Sequence, residues 1–286
     1  MGLSAGLSQA GQAIQRALAG LQENRTQVQD HEIVYLEGGS GDDLLLIHSF
    51  GGDKEQWLPF VRQLSRKFRV VIPDLPGFGA SQKVSHARYD SVTQVRRLRA
   101  LVQKLVLKKP HLAGCGMGAT LAGLYASAAS TGVRSLLLME PWGIEVADKS
   151  EMDRLMERGH QPLVVRTEQE YERVLKMQLL RPSRGEQERQ RAARAAADRP
   201  LHEKIWDQLW KDKPYLLGSV LGEIKVPALA LWGDSNQVVH RTALRRLELG
   251  LAGVQSEVFK DCGHLVMVER PKEAAARYVK FVAALT

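Results

Sequence analysis

Three side chains carry much of the chemical capacity legible in this chain. Cys115 sits inside the run Gly114-Cys115-Gly116-Met117-Gly118, and Cys262, the only other cysteine, stands two residues before His264. A thiolate is an able nucleophile, so Cys115 beside an imidazole could support nucleophilic attack. A redox pair or a metal site with His264 would use the same atoms. The plainest reading is a pair of buried, inert thiols. No cofactor motif and no dedicated metal-binding pattern accompanies them.

The elements that would position these groups can be read around residues 110–123. His111, Leu112 and Ala113 bring in a short buried strand. Gly114, Gly116 and Gly118 recur at alternate positions, which suits positive φ and close backbone approach in a sharp turn. The small apolar stretch 119–128 then suits a helix pressed on a sheet. This strand, turn and helix resembles the nucleophile elbow, G-x-nucleophile-x-G, of the α/β-hydrolase superfamily. Under that resemblance Gly116 occupies the nucleophile position, and glycine has no side chain with which to attack.

Other segments carry the same likeness, closest to microbial lipase- and esterase-like hydrolases. Pro73-Asp74-Leu75-Pro76-Gly77-Phe78-Gly79-Ala80-Ser81 resembles the D-x-P-G-x-G-x-S turn that follows the fourth strand. His48-Ser49-Phe50 resembles the loop that supplies one oxyanion amide, which implies the Phe50 N–H, with Ser49 where glycine is usual. Met117 would give the second amide. Trp232-Gly233-Asp234-Ser235-Asn236 is similar to the segment holding the triad acid, which places Asn236 at the acid position, and Asp261-Cys262-Gly263-His264 implies His264 as the triad histidine. Asn236 could still orient His264 by a hydrogen bond but could not offset an imidazolium charge. Asp234, after a backbone shift, and Glu140 are two other candidate acids. The resemblance spans about residues 33–284, apart from 144–218.

Continuous apolar runs at 44–47, 70–72, 133–139 and 226–232 read as strands buried on both faces, alternating with helices at 91–106, 241–249 and 274–285. This predicts an α/β fold with a mostly parallel central sheet and helices on both faces. The alternation breaks over 144–218, where charges and glutamines are dense. That stretch reads as a helical cap inserted after the sixth strand, dividing the core into 29–143 and 219–286. Residues 1–28 are set apart as an N-terminal amphipathic helix, its stripe formed by Leu3, Leu7, Ala10, Ile14, Ala17 and Leu21. It could pack on the domain, on a second copy, or on a membrane surface. A strand is expected over 28–36 and a helix over 60–68.

The chain has 286 residues and a formal net charge of +8. Between Arg62 and Lys109 twelve Lys and Arg face only Asp74 and Asp90. Solvated helix faces account for such a run; contact with an anionic membrane surface is the sharper alternative. No nucleic-acid motif is present and aromatics are sparse there, so nucleic acid is not an expected partner. No apolar run reaches 18 residues, and Gln9, Gln12 and Gln15 interrupt the start, so neither a spanning helix nor a cleaved signal is expected. The expected location is the cytoplasm. The expected function is that of a lipase- or esterase-like fold without working chemistry at residue 116, binding an acyl or ester-like ligand or a protein partner. The alternative is an active ester hydrolase that uses Cys115, or water activated by His264.

Overall fold

Strands without a polar face need cover on both sides. In the computed structural model, which describes residues 11–64, 67–182, 185–210 and 216–285, the apolar runs lie side by side in one sheet. Its strands are β1 (Leu21–Val28), β2 (His31–Gly39), β3 (Asp42–Ile47), β4 (Phe68–Pro73), β5 (His111–Cys115), β6 (Ser135–Met139), β7 (Ala228–Gly233) and β8 (Gln255–Phe259). The order is β1-β2-β4-β3-β5-β6-β7-β8. The pairs β1–β2 and β2–β4 are antiparallel, and all pairs from β4–β3 to β7–β8 are parallel.

The helices are α1 (11–18), α2 (Leu58–Val61), α3 (Ser91–Lys104), α4 (Met117–Ala128), α5 (Glu151–Glu157), α6 (Glu168–Gln178), α7 (Glu186–Ala197), α8 (Arg199–Trp210), α9 (Leu216–Val220), α10 (Thr242–Gly250), α11 (Val266–Glu269) and α12 (Pro271–Ala283). Five of them, α5 to α9, fall between β6 and β7. Local signals set several starts: Asp90 caps α3 by accepting from Thr93 N–H, and Ser150 with Asp153 forms a capping box on α5. Two cores flank the sheet. One holds Leu45, Leu112 and Leu138 with α3 and α4; the other holds Leu44, Ala113, Cys115 and Leu137 with α2 and α12. Neighbouring strand residues divide between the cores, as the strand period of two requires. Among the described residues no helix is long and apolar enough to cross a membrane.

The amino-terminal expectation is corrected. Helix ends at residue 18, and residues 21–28 are a strand paired in a hairpin with β2. Residues Leu3, Leu7 and Ala10 lie outside the described residues. Within α1 the expected stripe does not face the domain: Ile14 is 58% exposed, and Arg16 instead ties the helix down by donating to Glu55. Leu21 is buried, but as part of β1. The helix expected over 60–68 also shortens to α2, because Phe68 already begins β4.

Part of the basic stretch is neutralised where it meets the fold. Arg97, almost wholly buried, pairs with Asp30, and Arg69 pairs with Glu37 and Asp43. His111 opens β5 with its Nδ1 2.7 Å from Ser135 Oγ, in a pocket faced by Asp42, Arg134 and the Phe68 and Tyr278 rings. Burial, helped by Arg134, pushes its pKa down to about 4. The unfolded chain therefore takes up this proton first as pH falls. Stability from His111 is complete above about 6.5 and is lost between 6.5 and 4, by up to about 1.4 kcal/mol per pH unit. Urea midpoints measured from pH 7 to pH 4 should fall, and the fall should be shallower in His111→Asn.

Candidate active site

The parallel strands β5, β6 and β7 end on the same edge of the sheet, and the turns that leave them build the site. The turn after β5 is set by its glycines in two different ways. Gly116 has φ +53° and ψ −118°, a backbone that L side chains rarely adopt. Gly114 and Gly118 answer close approach instead: a Cβ on Gly114 would lie 2.2 Å from the carbonyl carbon of Gly118, and one on Gly118 would lie 2.2 Å from Ile47 O. The turn is thus wedged between α4 and the end of β3. Gly116 N–H donates to Met139 O at 2.9 Å, and Thr120 Oγ1 donates to Gly116 O at 3.2 Å. Met117 starts α4, and first-turn helix amides have no partner within the helix.

His264 arrives on the loop after β8, fully buried, with its amide and that of Leu265 both donating to Gln178 O, at 2.8 and 3.2 Å. Gln178 is the last residue of α6, so the inserted helices brace the imidazole. His264 Nδ1 lies 2.8 Å from Glu140 Oε2, and both side chains are fully enclosed. Glu140 follows β6 with φ +52°, a strained conformation for a residue with a Cβ. Its Oε1 accepts from Gly233 N–H at the end of β7. Burial drives the His264 imidazolium down to about 3 and pushes the Glu140 carboxyl up. The Gly233 amide and the neighbouring Asn236 side chain pull Glu140 back toward its carboxylate.

Aromatic rings close this centre. Phe50 meets Trp142 at 6.2 Å between centroids, Trp206 at 5.3 Å and the His202 ring at 5.8 Å. Trp142 also meets Trp206 and Trp210 of α8. Two cavities abut the closed centre. One of about 280 Å³ is reached by Trp142 and lined by Ile144, Val146, Met152, Met156 and Val238. The other, about 290 Å³, is reached by Phe50 and lined by Leu163, Val174 and Leu175 with Arg191 and Arg194.

A sequence profile described as the alpha/beta hydrolase fold matches residues 43–271. The chain belongs to this family. It is 30% identical to Lipase 1 of Psychrobacter immobilis, covering 87% of this chain and 80% of that one. It is also 30% identical to monoacylglycerol lipase ABHD6 of Mus musculus, over 94% and 85% of the two chains. Among solved structures, a membrane phospholipase A, described as a novel bacterial virulence factor, superposes with TM-score 0.95 at 37% identity, covering 99% of this chain and 92% of that one.

Within this fold the structure brings Gly116 and His264 together: a Cβ on residue 116 would stand 2.8 Å from His264 Nε2. It does not bring Asn236 to the imidazole as expected. Asn236 Oδ1 accepts from Val238 and Val239 N–H in its own turn, and the place beside Nδ1 is held by Glu140. Asp234 is exposed and accepts from Ser235 Oγ and, at 3.4 Å, from Cys262 N–H. Cys115 points into the core of α2 and α12, its thiol donating to the His264 backbone carbonyl at 3.5 Å rather than to the ring. Burial raises the pKa of both thiols, which opposes thiolate formation. Phe50 borders the centre with its ring. Sequence reasoning assigns no role to the side chains of Ser49 and Trp142, whose Oγ and Nε1 face the turn at Gly116; the serine in place of a usual glycine is the available signal.

With Glu140 as carboxylate, the proton of neutral His264 belongs on Nδ1. Nitrogen-15 NMR at pH 5.5 should find the His264 ring neutral, because burial holds its pKa at about 3, and a doubly protonated ring would contradict that shift; the Nδ1 tautomer would report Glu140 ionised and the Nε2 tautomer Glu140 protonated.

Proposed function

We propose that this member of the lipase- and esterase-like hydrolases binds an acyl ester and makes no covalent acyl intermediate at residue 116. The observation that carries the reading is the turn at Gly116: it keeps the left-handed geometry of a nucleophile elbow beneath His264 Nε2, yet offers no hydroxyl. Gly116 and His264 then stand for the nucleophile and histidine positions, with Glu140 rather than Asn236 as the acid. The amides of Phe50 and Met117 are the oxyanion donors. Helices α5 to α9 act as a cap, and entry requires the rings of α8 to move off Phe50 and Trp142. The cavity beside Trp142, lined by apolar side chains together with Lys149, Asp153, Glu157 and His240, suits an acyl ester, since ligand sites are mostly apolar with a few polar groups that orient the ligand. The lipase names of the relatives support an ester or acyl ligand for this chain.

In the serine-protease comparison, losing the nucleophile removes most of the rate, and what remains comes from binding and the oxyanion donors. Gly116→Ser should therefore raise hydrolysis of short aryl esters by at least about tenfold over the wild type. Its cost is strain: a Cβ there would stand 2.6 Å from Ser49 Oγ, on a backbone that carries about 1–3 kcal/mol of penalty for an L side chain. Adding Ser49→Gly should recover part of the lost melting temperature. Adding Asn236→Asp should not increase activity further, because a second carboxylate would sit beside buried Glu140 and favour its protonation. Fatty-acid binding by the wild-type chain, followed by tryptophan fluorescence, tests the ligand directly; absence of binding refutes the ligand class.

A further inference from the structure

Three buried side-chain polar atoms with no hydrogen-bond partner in the protein face one point: Ser49 Oγ, His264 Nε2 and Trp142 Nε1. That point is where residue 116 would carry a Cβ, and the three atoms lie 2.6, 2.8 and 3.2 Å from it. Sixteen buried side-chain polar atoms lack a hydrogen-bond partner among the described residues, and what sets these three apart is that they converge on one spot. The spot is also where this fold places its nucleophile, beside a residue that has none. The geometry points to Ser49 as the nucleophile of this centre, its hydroxyl having moved onto the place that Gly116 leaves open.

The surroundings of Ser49 fit that role. Its backbone is fixed: the amide donates to Gln56 Oε1 at 3.3 Å, and the carbonyl lies 2.7 Å from His48 Nδ1 and accepts from Gly52 N–H at 3.1 Å. Only the hydroxyl is left uncommitted. His48 cannot be its base, because His48 Nε2 already accepts from Leu75 N–H at 2.9 Å and Nδ1 serves the Ser49 carbonyl. His264 Nε2 faces the same point, with Glu140 on its Nδ1 side; it is not hydrogen-bonded to Ser49 Oγ in this structure and would take the proton once the hydroxyl turns toward it. Trp142 adds an indole N–H donor for a developing oxyanion.

The chemistry balances without another reactant than the ester and water. Ser49 Oγ forms a bond to the ester carbonyl carbon while its proton passes to His264 Nε2, and the carbonyl π pair moves onto oxygen. Collapse of that oxyanion breaks the bond to the alkoxy group, which leaves as the alcohol with the proton from His264. Water then attacks the acyl-Ser49 carbon, gives a proton to His264, and the Ser49 oxygen leaves and takes the proton back. The products are one carboxylic acid and one alcohol, and Ser49 is regenerated.

This assignment rests on the ester-binding reading above, and the test separates the two. Wild-type protein is treated with a small ethyl fluorophosphonate and examined by intact mass and peptide mapping, with fatty-acid binding measured on the same preparation. One adduct, mapped to Ser49, is expected. Ser49→Ala should take no adduct and lose at least about tenfold of the wild-type esterase rate while still binding fatty acid. No adduct, or an adduct elsewhere, in protein that binds fatty acid overturns the role of Ser49 and leaves the ligand reading standing. An adduct at Ser49 without fatty-acid binding supports Ser49 and overturns the ligand class instead. The wild-type labelling decides the matter even where Ser49→Ala fails to fold.

Discussion

The contact between Glu140 and His264 governs this centre, because neither group could be buried alone. A lone charge in such surroundings carries a desolvation cost of several kcal/mol, and a lone neutral polar group still forfeits its bonds to water. At 2.8 Å each answers the other, and the Gly233 amide takes the second carboxylate oxygen. Three segments far apart in sequence, after β6, β7 and β8, are thereby held in one register. Gln178 adds a fourth from the inserted helices by accepting the amides of His264 and Leu265. An imidazole positioned by so many groups has one face left to offer, and that face meets the turn at Gly116.

The turn is rigid for a different reason. Gly114 and Gly118 let backbone touch backbone, and no larger residue fits at either place without displacing main chain. Gly116 contributes differently, by carrying the positive φ. Of the neighbours a Cβ would meet, Ser49 Oγ is a side-chain tip that can rotate, whereas His264 Nε2 belongs to a ring held by Glu140. The scaffold of the elbow is thus fixed by backbone packing, while the chemistry above it is a matter of which nearby hydroxyl faces the imidazole. A serine on the facing loop and a glycine at the elbow form a complementary pair, since hydroxyls on both would compete for the same space.

The aromatic closure joins the two layers of the molecule. Phe50 comes from the loop after β3 and Trp142 from the loop after β6, whereas Trp206 and Trp210 belong to α8. Rings of this size dominate the apolar burial wherever they meet. The same cluster therefore fastens the inserted helices to the sheet and excludes water from Glu140 and His264, which strengthens their interaction.

The sheet and the tight turn at 114–118 are legible in the linear chain, and the place of His264 comes from the likeness of residues 261–264 to a family segment. Apolar runs without alternation demand two-sided burial, and alternate glycines before a small apolar helix demand a tight turn; both are local constraints that a linear reading captures. The chain also marks Gly116 as lacking a side chain and Glu140 as one of several acids. Choosing among those acids takes the three-dimensional arrangement. Asn236 turns its Oδ1 to its own loop and Asp234 accepts from Ser235 and Cys262, while Glu140, 124 residues before His264, reaches it because β6 and β8 flank β7 in the sheet. The amino-terminal stripe misleads because its helical period runs on toward Leu21, where pairing with β2 satisfies the backbone instead. Ser49 stands out in the sequence only as a departure from a pattern. Its meaning depends on which atoms surround the open side of Gly116, and that is set by contacts between loops that no spacing in the chain encodes.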